Sequence, residues 1–100
     1  MSGYVLGEGA DGDLDAIWEY ISQDSVDAAE RWVDSMFEAF ATVAASPGIG
    51  HRRKDLTTYP VLFWPVGNYL VIYREQAGLV EMVAVVHGAR DMPSFLSKRM

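Results

Sequence analysis

Leu14, Ile17, Trp18 and Ile21 fall at i, i+3, i+4 and i+7, with Asp15 and Glu19 between them, which is the spacing of one apolar stripe along a helix. Asp11 or Asp13 is the expected N-cap, and acids in a first turn suit the positive end of the helix dipole. On this reading Asp13, Asp15 and Glu19 lie on the solvent side. Ser25 restarts the pattern as a second N-cap, and Ala29, Val33, Met36, Phe37, Phe40 and Ala44 recur at helical spacing until Ser46-Pro47-Gly48 stops it. Only Gln23 and Asp24 separate the two helices, so they must fold back as an antiparallel hairpin. Leu14, Trp18 and Phe37 are read as core positions.

The period then changes from helical to extended. Val61–Val66, Tyr69–Arg74 and Leu79–His87 are dense in β-branched and aromatic residues, and Gly67-Asn68 and Gln76-Ala77-Gly78 are the turns between them. Pro65 cannot donate to a ladder and belongs at an edge or bulge. Tyr4-Val5-Leu6, closed by Gly7 and Gly9, reads as a short first strand. The expected fold is α+β: a short N-terminal strand and an antiparallel helical hairpin packed on a mostly antiparallel sheet, in the order β-α-α-β-β-β, with residues 1–100 as one domain.

The later strands are apolar on both faces. With Leu70, Ile72, Val83 and Val85 turned to the hairpin, Val71, Tyr73, Met82, Ala84 and Val86 face away from it. Soluble monomers seldom expose so large an apolar patch, so a second chain, a self-copy or the C-terminal segment is expected to cover it.

Composition narrows the function. The chain has 100 residues, half of them hydrophobic, with fourteen acids against eight bases. At this length roughly 60–65% of the unfolded surface is buried on folding, enough for a single core. Residues 1–50 carry a net −9 and residues 51–100 a net +3. The acidic half argues against a general nucleic-acid binder, while the later bases can form a local patch. Absence of cysteine removes disulfides and thiolate chemistry and suits a cytoplasmic protein. No apolar run is long enough to span a bilayer, and Met1–Gly9 has neither the basic start nor the apolar run of a secretion signal. His51 and His87 stand far apart, so neither a metal nor a cofactor is expected. The three tryptophans divide: Trp18 on the apolar stripe, Trp32 beside it as a contact candidate, and Trp64 next to Pro65 balanced between core and partner contact.

Four phrases carry a resemblance: Ala10-Asp11-Gly12-Asp13-Leu14-Asp15-Ala16-Ile17-Trp18-Glu19-Tyr20-Ile21, Ser46-Pro47-Gly48-Ile49-Gly50-His51-Arg52-Arg53-Lys54-Asp55-Leu56, Val66-Gly67-Asn68-Tyr69-Leu70-Val71-Ile72-Tyr73-Arg74, and Val85-Val86-His87-Gly88-Ala89-Arg90-Asp91. In this order they resemble the ParE branch of the ParE/RelE toxin superfamily. The resemblance implies the toxin of a type II toxin–antitoxin pair, of the kind tied to plasmid stabilisation, neutralised by a ParD-like antitoxin and acting on DNA gyrase. It implies no sequence-specific nucleic-acid binding by the toxin alone. The alternatives are a RelE-like ribosome-dependent mRNA endoribonuclease and a non-toxic interaction module.

Cutting RNA without a metal needs a base, an acid and cations around the phosphorane. At the positions where RelE-like enzymes carry basic residues or a late tyrosine, this chain has Leu62, Phe63, Leu70 and Leu96, and only Arg90 has the expected type. Catalysis is therefore not expected, with His87 and Arg90 the remaining candidates. Target-binding candidates are Arg52, Arg53, Lys54, Arg90, Phe95, Lys98 and Arg99, with the Met92–Met100 tail read as a short helix or a segment that orders on binding. Antitoxin-binding candidates are Trp32, Trp64, Val71, Tyr73, Met82 and Val86.

Overall fold

The computed structural model of the chain describes residues 3–100; the residues before Gly3, on which the secretion reading partly rests, lie outside that range. Strand β1 (Tyr4–Leu6) leads into the helices α1 (Glu8–Ser22) and α2 (Val26–Ala45), then β2 (Leu62–Val66), β3 (Tyr69–Gln76), β4 (Leu79–His87) and α3 (Met92–Arg99). The sheet order is β1-β4-β3-β2, with β1 parallel to β4 and the other pairs antiparallel. This is the β-α-α-β-β-β arrangement that the sequence predicts, with a mixed sheet.

Helix α2 starts as expected: the Ser25 hydroxyl accepts the Ala28 N–H at 3.0 Å. Helix α1 does not. Its N-cap is the extended Gly7, four residues before Asp11 and six before Asp13, so Asp13 lies inside the helix. Two glycines in its first two turns hide this start from propensity.

The hairpins follow the turn chemistry. Gly67 adopts φ +59°, and Ala77 and Gly78 adopt +56° and +78°, the paired left-handed conformation of a tight two-residue link. β2 is an edge strand, so Pro65 is accommodated where no donor is needed. Part of that edge is occupied, because His51 exchanges both backbone hydrogen bonds with Phe63, at 2.8 and 2.9 Å.

The sheet faces are where the pattern misleads. Val71, Tyr73, Val80, Met82 and Val85 pack with Leu14, Met36, Phe40 and Val43 of the hairpin. Ile72, Val83, Ala84 and Val86 pack on the other side with Val61, Phe63, Met92, Phe95 and Leu96. The expected orientation is thus inverted through Val83, which faces outward and not to the hairpin, and correct from Ala84 onward. The cause is a bulge: Ile72 pairs with Ala84 and Tyr73 with Met82, leaving Val83 opposite no residue of β3. The C-terminal segment, as α3, covers the outer face together with Leu56 and Val61, so that side is closed by the chain itself.

Tyr73 joins the hairpin side to the loop after α2. Its side chain is fully buried, its hydroxyl donates to the Pro47 carbonyl at 2.7 Å, and it accepts the Gly50 N–H at 2.8 Å. A Cβ on Gly50 would overlap the phenol, so no side chain fits there. Burial pushes the Tyr73 phenol above its usual range, and it does the same to Tyr69, with Tyr20 adding repulsion. The folded chain therefore holds these protons to higher pH than the unfolded chain does. Their stabilisation is complete below the ordinary tyrosine range near pH ~10 and is lost as pH rises through the raised values. Thermal melts taken into the alkaline range should show falling stability, with a shallower decline in Tyr73→Phe. An unchanged decline would assign the effect elsewhere.

Candidate functional site

The chain leaves β4 through a built corner. Gly88 N–H donates to the Asn68 carbonyl at 2.8 Å, Arg90 N–H to the His87 carbonyl at 3.0 Å, and Ala89 N–H to His87 Nδ1 at 3.1 Å. Asp91 then caps α3 by accepting the Ser94 N–H at 3.3 Å. His87-Gly88-Ala89-Arg90-Asp91 is thus the turn that hands the last strand to the last helix.

The two enzyme-like residues are placed by that corner. His87 is exposed, its ring edge-on to Tyr69 at 5.3 Å, and its Nδ1 is committed as an acceptor, which leaves the neutral ring's proton on Nε2. Arg90 lies with its guanidinium 5.0 Å from the centre of the Phe95 ring and pairs with no carboxylate among the described residues. Both border a shallow cleft shared with Asp13, Ile17, Tyr20 and Tyr69. Among the described residues neither has a hydrogen-bonded acid, base or nucleophile side chain beside it. Among the described residues no three His, Asp or Glu side chains converge in a metal-binding group.

The positions at which a RelE-like nuclease carries its chemistry are structural here. Phe63 and Leu96 are 2% and 0% exposed in the outer cluster, Leu70 packs against that cluster, and Leu62 packs on the hairpin side.

Several expected contact residues are corrected. Val71, Tyr73, Met82 and Val86 are buried, the first three under the hairpin and Val86 under α3, so this conformation does not offer them to a partner. Phe95 is buried as well, with the guanidinia of Arg90 and Arg99 5.0 and 4.7 Å from its ring centre. Arg99 is committed within the fold: it contacts both oxygens of Asp13 at 2.9 and 3.1 Å and donates to the Val83 carbonyl at 3.0 Å. Asp13, expected in solvent, also accepts the Val85 N–H at 2.9 Å. β1 ends opposite Met82, so this ion pair occupies the edge of β4 that β1 leaves open at the bulge. Arg99 reaches it across Gly9, where a Cβ would overlap the guanidinium.

Other candidates remain accessible. Trp32 is half-buried, edge-on to Tyr69 at 5.4 Å, with a buried Nε1 that meets no acceptor among the described residues. Trp64 is half-buried and stacks on His51 at 6.4 Å. Arg52, Arg53 and Lys54 are exposed and line an open cleft with Thr57, Thr58 and Tyr59. Within it the Arg53 guanidinium grips Asp55 through two hydrogen bonds of 3.0 and 2.8 Å, which holds the Asp55 carboxyl below its usual range. Lys98 is exposed on α3.

One surface escapes the sequence reading. Trp18 is half-buried, its Nε1 donating to Glu30 at 3.3 Å, and Phe37 is 42% exposed. With Leu14 and Val33 they border a groove between α1 and α2. The available signal was the width of the α2 stripe, since Trp32, Val33, Met36, Phe37 and Phe40 together exceed the arc one core contact can bury.

Comparison with known proteins agrees with this architecture. No curated protein sequence matches the chain. One solved chain, from the chromosomal ParDE toxin–antitoxin system of P. aeruginosa, shares the fold with a TM-score of 0.73 at 17% identity, over 87% of this chain and 96% of that one. The family model described as the ParE toxin of the type II toxin–antitoxin system parDE matches residues 4–92. The chain belongs to the ParE toxin family of type II toxin–antitoxin systems.

Proposed function

We propose that this chain acts by binding, with DNA gyrase as its target in the cytoplasm, and that a ParD-like antitoxin neutralises it by direct contact. The observation that carries the reading is the filling of the nuclease positions with core side chains. Leu96 and Phe63 hold α3 to the sheet and present no group that could move a proton or clamp a phosphorane. Family membership and the fold shared with a ParDE chain support the toxin assignment.

The antitoxin surface on this reading is the helical hairpin, not the sheet. Trp18, Val33 and Phe37 supply apolar contact, Trp32 and Trp64 extend it at the hairpin's junction with β2 and β3, and the acids of α1 and α2 surround it. A segment carrying apolar and basic side chains fits this surface by charge complementarity.

The test is a gyrase assay with the purified chain. Supercoiling should be blocked or cleaved DNA should accumulate, and an equimolar cognate antitoxin should reverse either effect. Full gyrase activity in a large excess of folded protein would remove gyrase as the target. Messenger RNA cleaved in a translation mixture, and spared by Arg90→Ala, would replace the binding reading with a ribonuclease.

A further inference from the structure

The sheet separates most of the two signs of charge, which meet where Arg99 pairs with Asp13 at the edge of β4. All ten acids of the first fifty residues lie on α1, α2 and the turn between them, where Arg31 is the only base. On the other side, the loop at 51–61 and the C-terminal segment from Gly88 pack together through Leu56, Val61, Met92, Phe95 and Leu96. These two segments hold six of the eight bases and only two acids, Asp55 and Asp91. The net charge of −6 conceals a molecule with an acidic face and a basic face.

The basic face is not neutralised from within. Arg53 is taken by Asp55 and Arg99 by Asp13. Arg52, Lys54, Arg90 and Lys98 are exposed and form no ion pair among the described residues. Stacking on Phe95 steadies Arg90 while leaving its N–H groups without a carboxylate. Each free pair borders a cleft that also offers hydroxyls: Ser94 beside Arg90 and Lys98, and Thr57, Thr58 and Tyr59 beside Arg52 and Lys54. The Asp91 carboxylate in the first cleft is turned to the Ser94 N–H.

From this we infer that the layer formed by the 51–61 loop and α3 is a sequence-independent contact surface for the phosphate backbone of duplex DNA. Cations interspersed with hydroxyl donors in shallow, open clefts are the donor set of backbone contacts, which position a protein without reading bases. A duplex presents about one charge per 1.7 Å of its axis and needs no shaped pocket, whereas an acidic protein surface is selected largely by shape and register. The acidic hairpin repels the same polyanion, so the molecule engages DNA with one face only. The inference does not depend on gyrase, and its test is done without that enzyme.

The experiment follows a fluorescently labelled random-sequence duplex by anisotropy as salt is raised from about 50 to 200 mM. Four free cations predict a log–log salt slope of about −3 to −4, a loss of affinity on the order of a hundredfold over that range. The pair Arg52→Gln/Lys54→Gln, or the pair Arg90→Gln/Lys98→Gln, should reduce the slope by about 2, and all four together should abolish measurable binding. Asp34→Asn/Glu38→Gln on α2 should leave binding undiminished. Melting temperatures of the variants confirm folding, since all these side chains are exposed. Absence of salt-dependent binding, or binding that survives the fourfold variant, overturns the inference. So does displacement of the duplex by poly-L-glutamate at equal charge concentration, which would assign the face to an acidic protein.

Discussion

Replacing Phe40 with alanine should lower the unfolding free energy by about 3–5 kcal/mol, the largest effect expected from a single hydrophobic truncation in this chain. Phe40 has no exposed surface and meets Tyr4 and Phe37 edge-to-face, each at 5.6 Å. Its ring therefore joins β1 to α2 over the sheet, and truncation leaves a cavity that neither neighbour can fill without abandoning its own packing. For a domain whose total stability is of order 5–15 kcal/mol, such a loss leaves a substantial unfolded fraction. Phe37→Ala, three positions earlier, should cost only about 1 kcal/mol, because much of that ring is already in water. Urea unfolding of the two variants side by side checks the assignment, and equal losses would mean that Phe37 belongs to the core as its sequence position suggests.

Breaking the ion pair between Asp13 and Arg99 is the second large effect. Their side chains are 17% and 24% exposed, so each charge is partly withdrawn from water and depends on the other. Asp13→Ala strands the Arg99 guanidinium and the Val85 N–H, while Arg99→Ala strands the Asp13 carboxylate and the Val83 carbonyl. Each single change should cost about 2–4 kcal/mol, since removing one member of a half-buried pair leaves the other uncompensated. The double change should cost less than the sum, with a coupling of about 1–2 kcal/mol. Hydrogen exchange provides the specific readout: amides of α3 and of β4 around the bulge should lose protection before those of α2. Additive losses, or protection falling evenly throughout, would mean that the pair is not what holds the last helix in place.

Most of the fold was legible because its periods are clean. Ser25 and the stripe that follows specify α2, Gly67-Asn68 and Gln76-Ala77-Gly78 mark the hairpins, although Gln76 itself still belongs to β3, and Pro65 points to an edge or bulge. The assignment of sheet faces was not legible. When both faces of a strand are buried the two-residue alternation carries no label for which side is which, and an extra residue at Val83 reverses the phase without any mark in composition. The closure of the outer face was open in the sequence among three covers, and Met92, Phe95 and Leu96 at i, i+3 and i+4 were the trace of the right one. Asp13 could not be told from Asp11 or Asp15, because what distinguishes it is a guanidinium 86 positions away. Candidate residues fared by the same rule. Exposed bases such as Arg52 and Lys98 were recognisable from local sequence, whereas the commitment of Arg99 and the burial of Val71 and Tyr73 depend on contacts between distant segments.

Both margins of the sheet are unsuited to recruiting another strand. On one side β1 offers three residues before Gly7 turns the chain into a helix, and on the other Pro65 withholds a donor while His51 already occupies Phe63. Fibrous stacking of strand upon strand, the usual hazard of a small apolar β-rich chain at high local concentration, finds no long open edge among the described residues. If neutralisation comes from a separate protein, the chain must stay dispersed in the interval when that protein is gone, and these blunted rims give it that persistence.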